Sequence, residues 1–138
     1  MLKRISCIFL VISLSGCAGH KVIGTDPLIT WDSVITDCTG AILSDPVTYN
    51  VYGVPGPGPI PTSQSIDTSP CGVINLATGS PLNSTPITGT SYHAVVPDGL
   101  WTFGVEAIGM NGGRSGLSGQ ATKAVLGRPG VVGGVVVE

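Results

Sequence analysis

The chain has 138 residues, enough for one domain and too few for two of ordinary size. Charged residues make up only 10% of it and the formal net charge is −2. Loss of the first 16 residues, argued below, removes two of the six basic residues and none of the eight acidic ones, which leaves a net charge of −4. Without clustered Lys and Arg, we expect neither a nucleic-acid partner nor electrostatic docking on anionic lipid.

Residues 1–16 have the pattern of a cleaved export signal. A basic pair, Lys3-Arg4, precedes an apolar run at 5–14, about half the length that a membrane-spanning helix needs. The next segment, Leu14-Ser15-Gly16-Cys17, resembles the bacterial lipobox, in which an aliphatic and two small residues precede a cysteine. The resemblance implies cleavage before Cys17, diacylglycerol on its thiol and acylation of the new amine.

Lipidation of Cys17 would anchor the mature chain in a membrane. One acyl chain binds a bilayer only marginally, whereas three palmitate-like chains hold a protein essentially permanently. A non-acidic residue after the cysteine, here Ala18, implies sorting to the outer membrane in enterobacteria-like systems. We therefore expect a cell-envelope lipoprotein with a short tether at 17–23. The alternative is an ordinary signal peptide cut near Ala18, with Cys17 left unmodified.

The cysteines of the exported chain predict one disulfide. Cys7 leaves with the signal and Cys17 takes lipid, so Cys38 and Cys71 remain. In an oxidising compartment such a pair forms a structural disulfide, worth about 3–4 kcal/mol on the chain-entropy model. The alternative is a metal or redox site, but the chain has no Cys-x-x-Cys and its two histidines show no ligand spacing.

The mature chain predicts short strands separated by turns, and no stretch has the 3.6-residue period of an amphipathic helix. The predicted strands are 22–23, 28–34, 47–52, 73–76, 91–96, 100–108 and 120–126. The prolines of 53–61 predict a loop, because proline cannot donate to a central ladder. Turns are predicted at Pro97-Asp98-Gly99 and Asn111-Gly112-Gly113. About seven short strands predict an all-β sandwich.

Four segments resemble a fibronectin type III domain. Ile29-Thr30-Trp31 is similar to the strand B pattern of the family, and Tyr49-Asn50-Val51-Tyr52 to that of strand C. Residues 95–107 are similar to the Pro-containing turn and strand F, and 111–118 to the F–G loop and the start of strand G. The resemblance covers residues 24–127 and implies an immunoglobulin-like (fibronectin type III-like) β-sandwich of about seven strands.

Three features depart from that family pattern. Trp101 stands where the family usually has a tyrosine whose hydroxyl bonds back to nearby backbone. The first strand is short, and the stretch 53–84 is long and rich in proline. Because Cys71 lies within that stretch, a disulfide with Cys38 would tie it to the B–C region.

No pattern of catalysis is present: there is no Gly-x-Ser-x-Gly, no His-Glu-x-x-His and no phosphate loop. We therefore predict a protein that is not an enzyme and has no metal or cofactor. The aspartates Asp26, Asp32, Asp37 and Asp45 lack the alternation of a calcium loop and are interpreted as solvated loop acids. Trp31 and Trp101 match core positions of the family, which favours burial over a sugar-stacking role.

A Gly/Val-rich tail follows the domain at 128–138. Its valines have high β-propensity; they are Val131, Val132, Val135, Val136 and Val137. The tail is interpreted either as an edge strand that folds back onto the weak first-strand region or as a strand added to the open sheet edge of a partner. A disordered or truncated end is the third interpretation.

The function expected from these features is a membrane-anchored envelope lipoprotein whose non-catalytic domain serves adhesion, scaffolding or assembly. Its partners would be the membrane, through the lipid on Cys17, and another envelope protein. One alternative is a carbohydrate-facing module that binds surface glycans. Another is a phage- or prophage-borne lipoprotein that blocks a receptor.

Overall fold

The structure, a computed structural model, describes residues 10–12, 26–66, 72–126 and 136–137. Every regular element in those ranges is a β-strand, and the predicted fold class, an all-β immunoglobulin-like sandwich, is confirmed. The strands are β1 (Leu10–Ile12), β2 (Leu28–Trp31), β3 (Thr48–Pro55), β4 (Thr62–Ile66), β5 (Val73–Ala77), β6 (Ser91–His93), β7 (Gly99–Ile108) and β8 (Ala121–Val125).

The strands form two antiparallel three-stranded sheets and one separate hairpin. The first sheet has the order β1-β2-β6 and the second the order β3-β7-β8, while β4 pairs only with β5. In the second sheet the first residue of β3, Thr48, lies opposite the last residue of β7, Ile108. The loop between β2 and β3 and the loop between β7 and β8 therefore lie at the same end of the sandwich.

The core lies between the two three-stranded sheets. Alternate residues point to one face of a strand, and those of β2 contribute Ile29 and Trp31, which are 0% and 4% exposed. They pack against Tyr49 of β3 and Phe103 of β7. The rings of Trp31 and Tyr49 are 5.3 Å apart, and the Tyr49 hydroxyl accepts a 2.9 Å hydrogen bond from the backbone N–H of Val34. Each such side chain stabilises the fold by about 1.5–3 kcal/mol through burial.

Strand β3 is longer than predicted. The loop predicted at 53–61 is wrong for Gly53–Pro55, which continue the ladder until Pro55 lies opposite Trp101. Because β3 is an edge strand of its sheet, proline at its end leaves no ladder bond unmade. Strand β4 was not predicted, because its sequence TSQSI has no alternation of apolar residues.

An outer layer covers the face of β7 that points away from the core. On this face Thr102, Gly104 and Glu106 are buried, although the resemblance to a two-layer sandwich predicts solvent there. We define the outer layer as residues 56–61, the β4–β5 hairpin and Leu117; together with Tyr52, its Ile60 and Ala77 form a second buried cluster. A Cβ at Gly104 would lie 2.9 Å from Leu117 Cδ1. Glycine at this position lets Leu117 and Ile60 of the layer pack against the strand without shifting.

The first sheet has an unexpected edge strand. Strand β1 comes from the residues predicted to leave with the export signal, and it pairs with three of the four residues of β2, Ile29 to Trp31. The strand predicted at 22–23 lies outside the described residues, as do the predicted tether at 17–23 and most of the tail.

Candidate binding surface and a buried charge cluster

The predicted site residues fall mostly outside the described parts of the chain. Those outside are Cys17, Cys71, Val131, Val132 and Val135. Cys38 is disulfide-bonded, and the three other cysteines of the chain all lie outside the described residues. Lipidation of Cys17 and the pairing of Cys38 with Cys71 therefore stay predictions. Val136 and Val137 are described and are 79% and 91% exposed.

Trp101 makes the backbone hydrogen bond that the resemblance assigns to a tyrosine. Its indole Nε1–H donates to the carbonyl oxygen of Pro97 at 2.8 Å, and its ring stacks on Phe103 at 6.3 Å. Trp101 is partly buried and Trp31 fully so. Within the described ranges no Trp, Tyr or Phe side chain is exposed, so these ranges offer no aromatic platform for a sugar ring.

Three of the four clustered aspartates are exposed as predicted, but Asp37 is buried. Its Oδ1 accepts hydrogen bonds from the backbone N–H and hydroxyl of Thr39 and from the N–H of Ala41, at 2.6–3.0 Å. The carboxylate thus shapes the loop that carries Cys38. Among the residues that the structure describes, no group of three or more His, Cys, Asp or Glu is placed to hold a metal ion.

Exposed apolar side chains lie at the end of the sandwich formed by loops 32–47 and 109–113, which we call the loop end. Ile35 is 66% exposed, Ile42 81% and Met110 75%. Ile35 and Ile42 lie on opposite arms of a small turn, held by a 2.9 Å hydrogen bond from Leu43 N–H to the Ile35 carbonyl. Sequence reasoning missed these residues because a loop has no periodicity against which an apolar residue stands out.

A groove of about 360 Å³ opens beside this turn. It is lined by Ser33, Val34, Ile35, Ile42, Leu43, Ser44, Asp45, Pro46, Val47, Tyr49 and Thr88. Asp45 is the one charged residue in this lining. Tyr49 forms its floor but is 1% exposed, so the groove offers aliphatic side chains and backbone rather than a ring face.

A buried ion pair lies beneath the outer layer. Arg114 Nη2 donates to Glu106 Oε2 at 2.6 Å and to the carbonyl oxygen of Ala77 at 3.1 Å, which ties strand β5 to strand β7. The Glu106 side chain is fully buried and that of Arg114 is 35% exposed. The other carboxylate oxygen, Oε1, has no donor in hydrogen-bonding geometry among the described residues.

Tyr52 lies beside this pair, and the charges of the pair affect the pKa of its hydroxyl. Burial raises the pKa of the Tyr52 hydroxyl above its ordinary value, and the negative charge of Glu106 raises it further. Burial lowers the pKa of Arg114, but the hydrogen bond and charge of Glu106 outweigh that effect and raise it overall. The raised pKa values keep the Tyr52 hydroxyl protonated and Arg114 charged at neutral pH, which fits a structural role under the outer layer.

Comparisons of the chain with protein-family models, curated proteins and solved structures found no match. No helix in the described ranges is long and apolar enough to cross a membrane.

Proposed function

We propose that the protein is a lipid-anchored component of a bacterial cell envelope that binds another envelope protein through its loop end. The observation that carries the binding part is the exposure of Ile35, Ile42 and Met110 at one end of the sandwich. The anchoring part rests on the lipobox-like segment that ends at Cys17. The proposal assigns no catalytic step to the domain.

The position of the tether supports the use of the loop end. The chain enters the sandwich at Leu28, which lies opposite His93 at the end farthest from loop 32–47. Residues 17–27 span at most about 40 Å when extended, since each residue covers about 3.3–3.6 Å. Strand β7 has ten residues and covers about 34 Å at 3.4 Å each. Because the tether joins the sandwich at the end opposite the loop end, attachment at Leu28 leaves the loop end accessible to a partner.

The chemistry of the surface defines the partner. Aliphatic and Met side chains next to a groove with a single acidic residue favour a partner protein with an apolar patch. Protein–protein interfaces have such an apolar core surrounded by a polar rim. A glycan would need exposed aromatic rings, which the described residues do not offer. The partner is therefore expected to present protruding apolar side chains of its own, matched to a groove of about 360 Å³.

Photo-crosslinking in cells tests the loop end. A photoreactive residue at position 42 is expected to give one discrete heavier adduct with another envelope protein. The matched control is position 95, because Val95 is 78% exposed against 81% for Ile42 but lies at the opposite end, after β6. Adding Ile35→Asp should abolish the adduct at position 42, since burying a carboxylate in an apolar interface is unfavourable. Equal adducts at both positions, or an adduct that survives Ile35→Asp, would refute the binding proposal.

Metabolic labelling with palmitate tests the anchor. The protein is expected to carry label and to sediment with membranes, and Cys17→Ala should remove the label because the acceptor thiol is gone. Cys38→Ala is the control that removes a different thiol and should keep the label. Label that survives Cys17→Ala would contradict lipidation at this position.

A further inference from the structure

The groove at the loop end combines aliphatic walls with negative charge. Ile35 and Ile42 belong to its lining and are 66% and 81% exposed. Asp45 is an exposed residue of the same lining, and Asp32, which is also exposed, stands next to the lining residue Ser33 in the chain. The apolar surface that the groove offers is therefore bordered by two carboxylates.

No cation of the chain neutralises these two carboxylates in the ranges that the structure describes. The sequence has no Lys or Arg between Lys21 and Arg114. Arg114 follows loop 109–113 at the loop end, but its guanidinium is held by Glu106 at 2.6 Å. Neither of the two aspartates takes part in an ion pair with a described residue. The loop end therefore carries negative charge that a partner can neutralise.

We propose that the groove binds a basic and apolar segment of the partner protein, in which a Lys or Arg side chain lies next to an aliphatic one. This inference rests on the proposed function, because it names the chemistry of the partner at the same loop end. The aliphatic side chain occupies the groove beside Ile35 and Ile42, and the cation pairs with Asp45.

Lys and Arg side chains suit a groove of this kind. Their methylene stems pack along apolar surface while the charged head group stays in water. Ile42, Asp45 and Pro46 line the same groove, so a stem packed on the two apolar residues can bring its head group to the carboxylate. Because Asp45 is exposed, this pair contributes specificity and orientation more than affinity. The aliphatic contacts supply the larger part of the binding free energy.

A second copy of the chain fits the groove poorly. Two loop ends that face each other would bring their carboxylates together, which is unfavourable at an interface. Lys123, which with Arg114 makes up the described basic residues, lies opposite Trp101 near the start of β7, at the far end of the sandwich. An anionic membrane would repel the same carboxylates. The charges therefore favour a partner protein with a cation next to its apolar patch.

Charge reversal in cells tests this inference in the full chain with the photoreactive residue at position 42. Asp45→Lys is expected to lower the adduct yield at least about threefold, because it places a cation against the cation of the partner. Asp98→Lys is the matched control and should leave the yield unchanged. Asp98 is also exposed, and its reversal changes the net charge equally, but it lies in the turn before β7 at the opposite end. Asp45→Asn should give an intermediate yield.

A reciprocal charge swap provides a second test that a folding defect in Asp45→Lys cannot imitate. Mass spectrometry of the adduct identifies the partner segment that contacts position 42, and this segment is expected to contain a Lys or Arg. Replacing that cation with Glu should lower the adduct yield with the unaltered Asp45 and restore it with Asp45→Lys, since opposite charges then meet again.

The outcomes separate this inference from the proposed function. Equal yields with Asp45→Lys and Asp98→Lys, or a contacted segment without Lys or Arg, would overturn the inference and leave the loop end as a binding surface. An adduct of twice the mass of the chain would identify a second copy and overturn the inference together with the choice of partner. An adduct that survives Ile35→Asp would overturn the binding proposal itself.

Discussion

Arg114→Ala is expected to lower the free energy of unfolding by about 2–4 kcal/mol, because it leaves the carboxylate of Glu106 buried without its cation. Glu106 is fully buried, and its Oε1 already lacks a donor in hydrogen-bonding geometry among the described residues. The partial exposure of Arg114 keeps the expected loss below that of a fully buried pair. Chemical denaturation, followed by tryptophan fluorescence, measures the change.

A double-mutant cycle separates the ion pair from simple loss of side-chain packing. Replacing both partners, with Glu106→Leu and Arg114→Leu, should restore much of the stability, since an apolar pair has no desolvation cost to offset. Arg114→Lys keeps the charge but loses the geometry with which one guanidinium reaches both Glu106 and the Ala77 carbonyl. Its free energy of unfolding should fall between those of Arg114→Ala and the double Leu variant. A loss below about 0.5 kcal/mol for Arg114→Ala, typical of an exposed residue, would show that the pair does not stabilise the fold.

Asn83→Ala is expected to cost about 2–3 kcal/mol, because it leaves a buried backbone donor and a backbone acceptor unsatisfied. Asn83 is 6% exposed. Its Oδ1 accepts from the N–H of Val51 at 2.8 Å, and its Nδ2 donates to the carbonyl oxygen of Thr85 at 2.9 Å. The side chain therefore takes the place of a strand along the outer edge of β3, between Leu82 N–H, which donates to the Val51 carbonyl, and the bridge of Tyr49 with Ile87.

Asn111→Ala is the matched control for that substitution. Asn111 also accepts a backbone hydrogen bond with Oδ1, from the N–H of Gly113 at 3.0 Å, but in an exposed turn where water can replace it. Its removal should change the free energy of unfolding by no more than about 0.5 kcal/mol. Equal losses in the two variants would contradict the assignment of Asn83 to the β3 edge.

The strands of the two main sheets were predictable because their signals are local. Alternation identified Ile29 and Trp31 as one face of β2, and the turns Pro97-Asp98-Gly99 and Asn111-Gly112-Gly113 bracket β7 as expected. Strand β4 escaped prediction because its own sequence, TSQSI, has no alternation of apolar residues and its pairing depends on β5. A strand can be predicted from sequence when its apolar residues alternate with period two. It cannot be predicted in this way when it is stabilised mainly by pairing with another strand.

The outer layer and its ion pair depended on contacts between residues far apart in the chain. Glu106 alternates with the core residues Val105 and Ala107 along β7, and such a position faces solvent in a two-layer sandwich. It is buried because residues 56–61 and the β4–β5 hairpin return over that face. No local pattern of the sequence predicts that return, and none predicts the burial of Asn83.

By itself the sequence determined the all-β sandwich, since strand alternation and turn chemistry act over a few neighbouring residues. It also supplied the lipobox-like motif on which the proposed anchor rests. Only the tertiary structure decided which faces are covered and which are free. The burial of Glu106 and the exposure of the apolar loop end both arise from packing between distant segments, where the free energy depends on which residues the fold brings together.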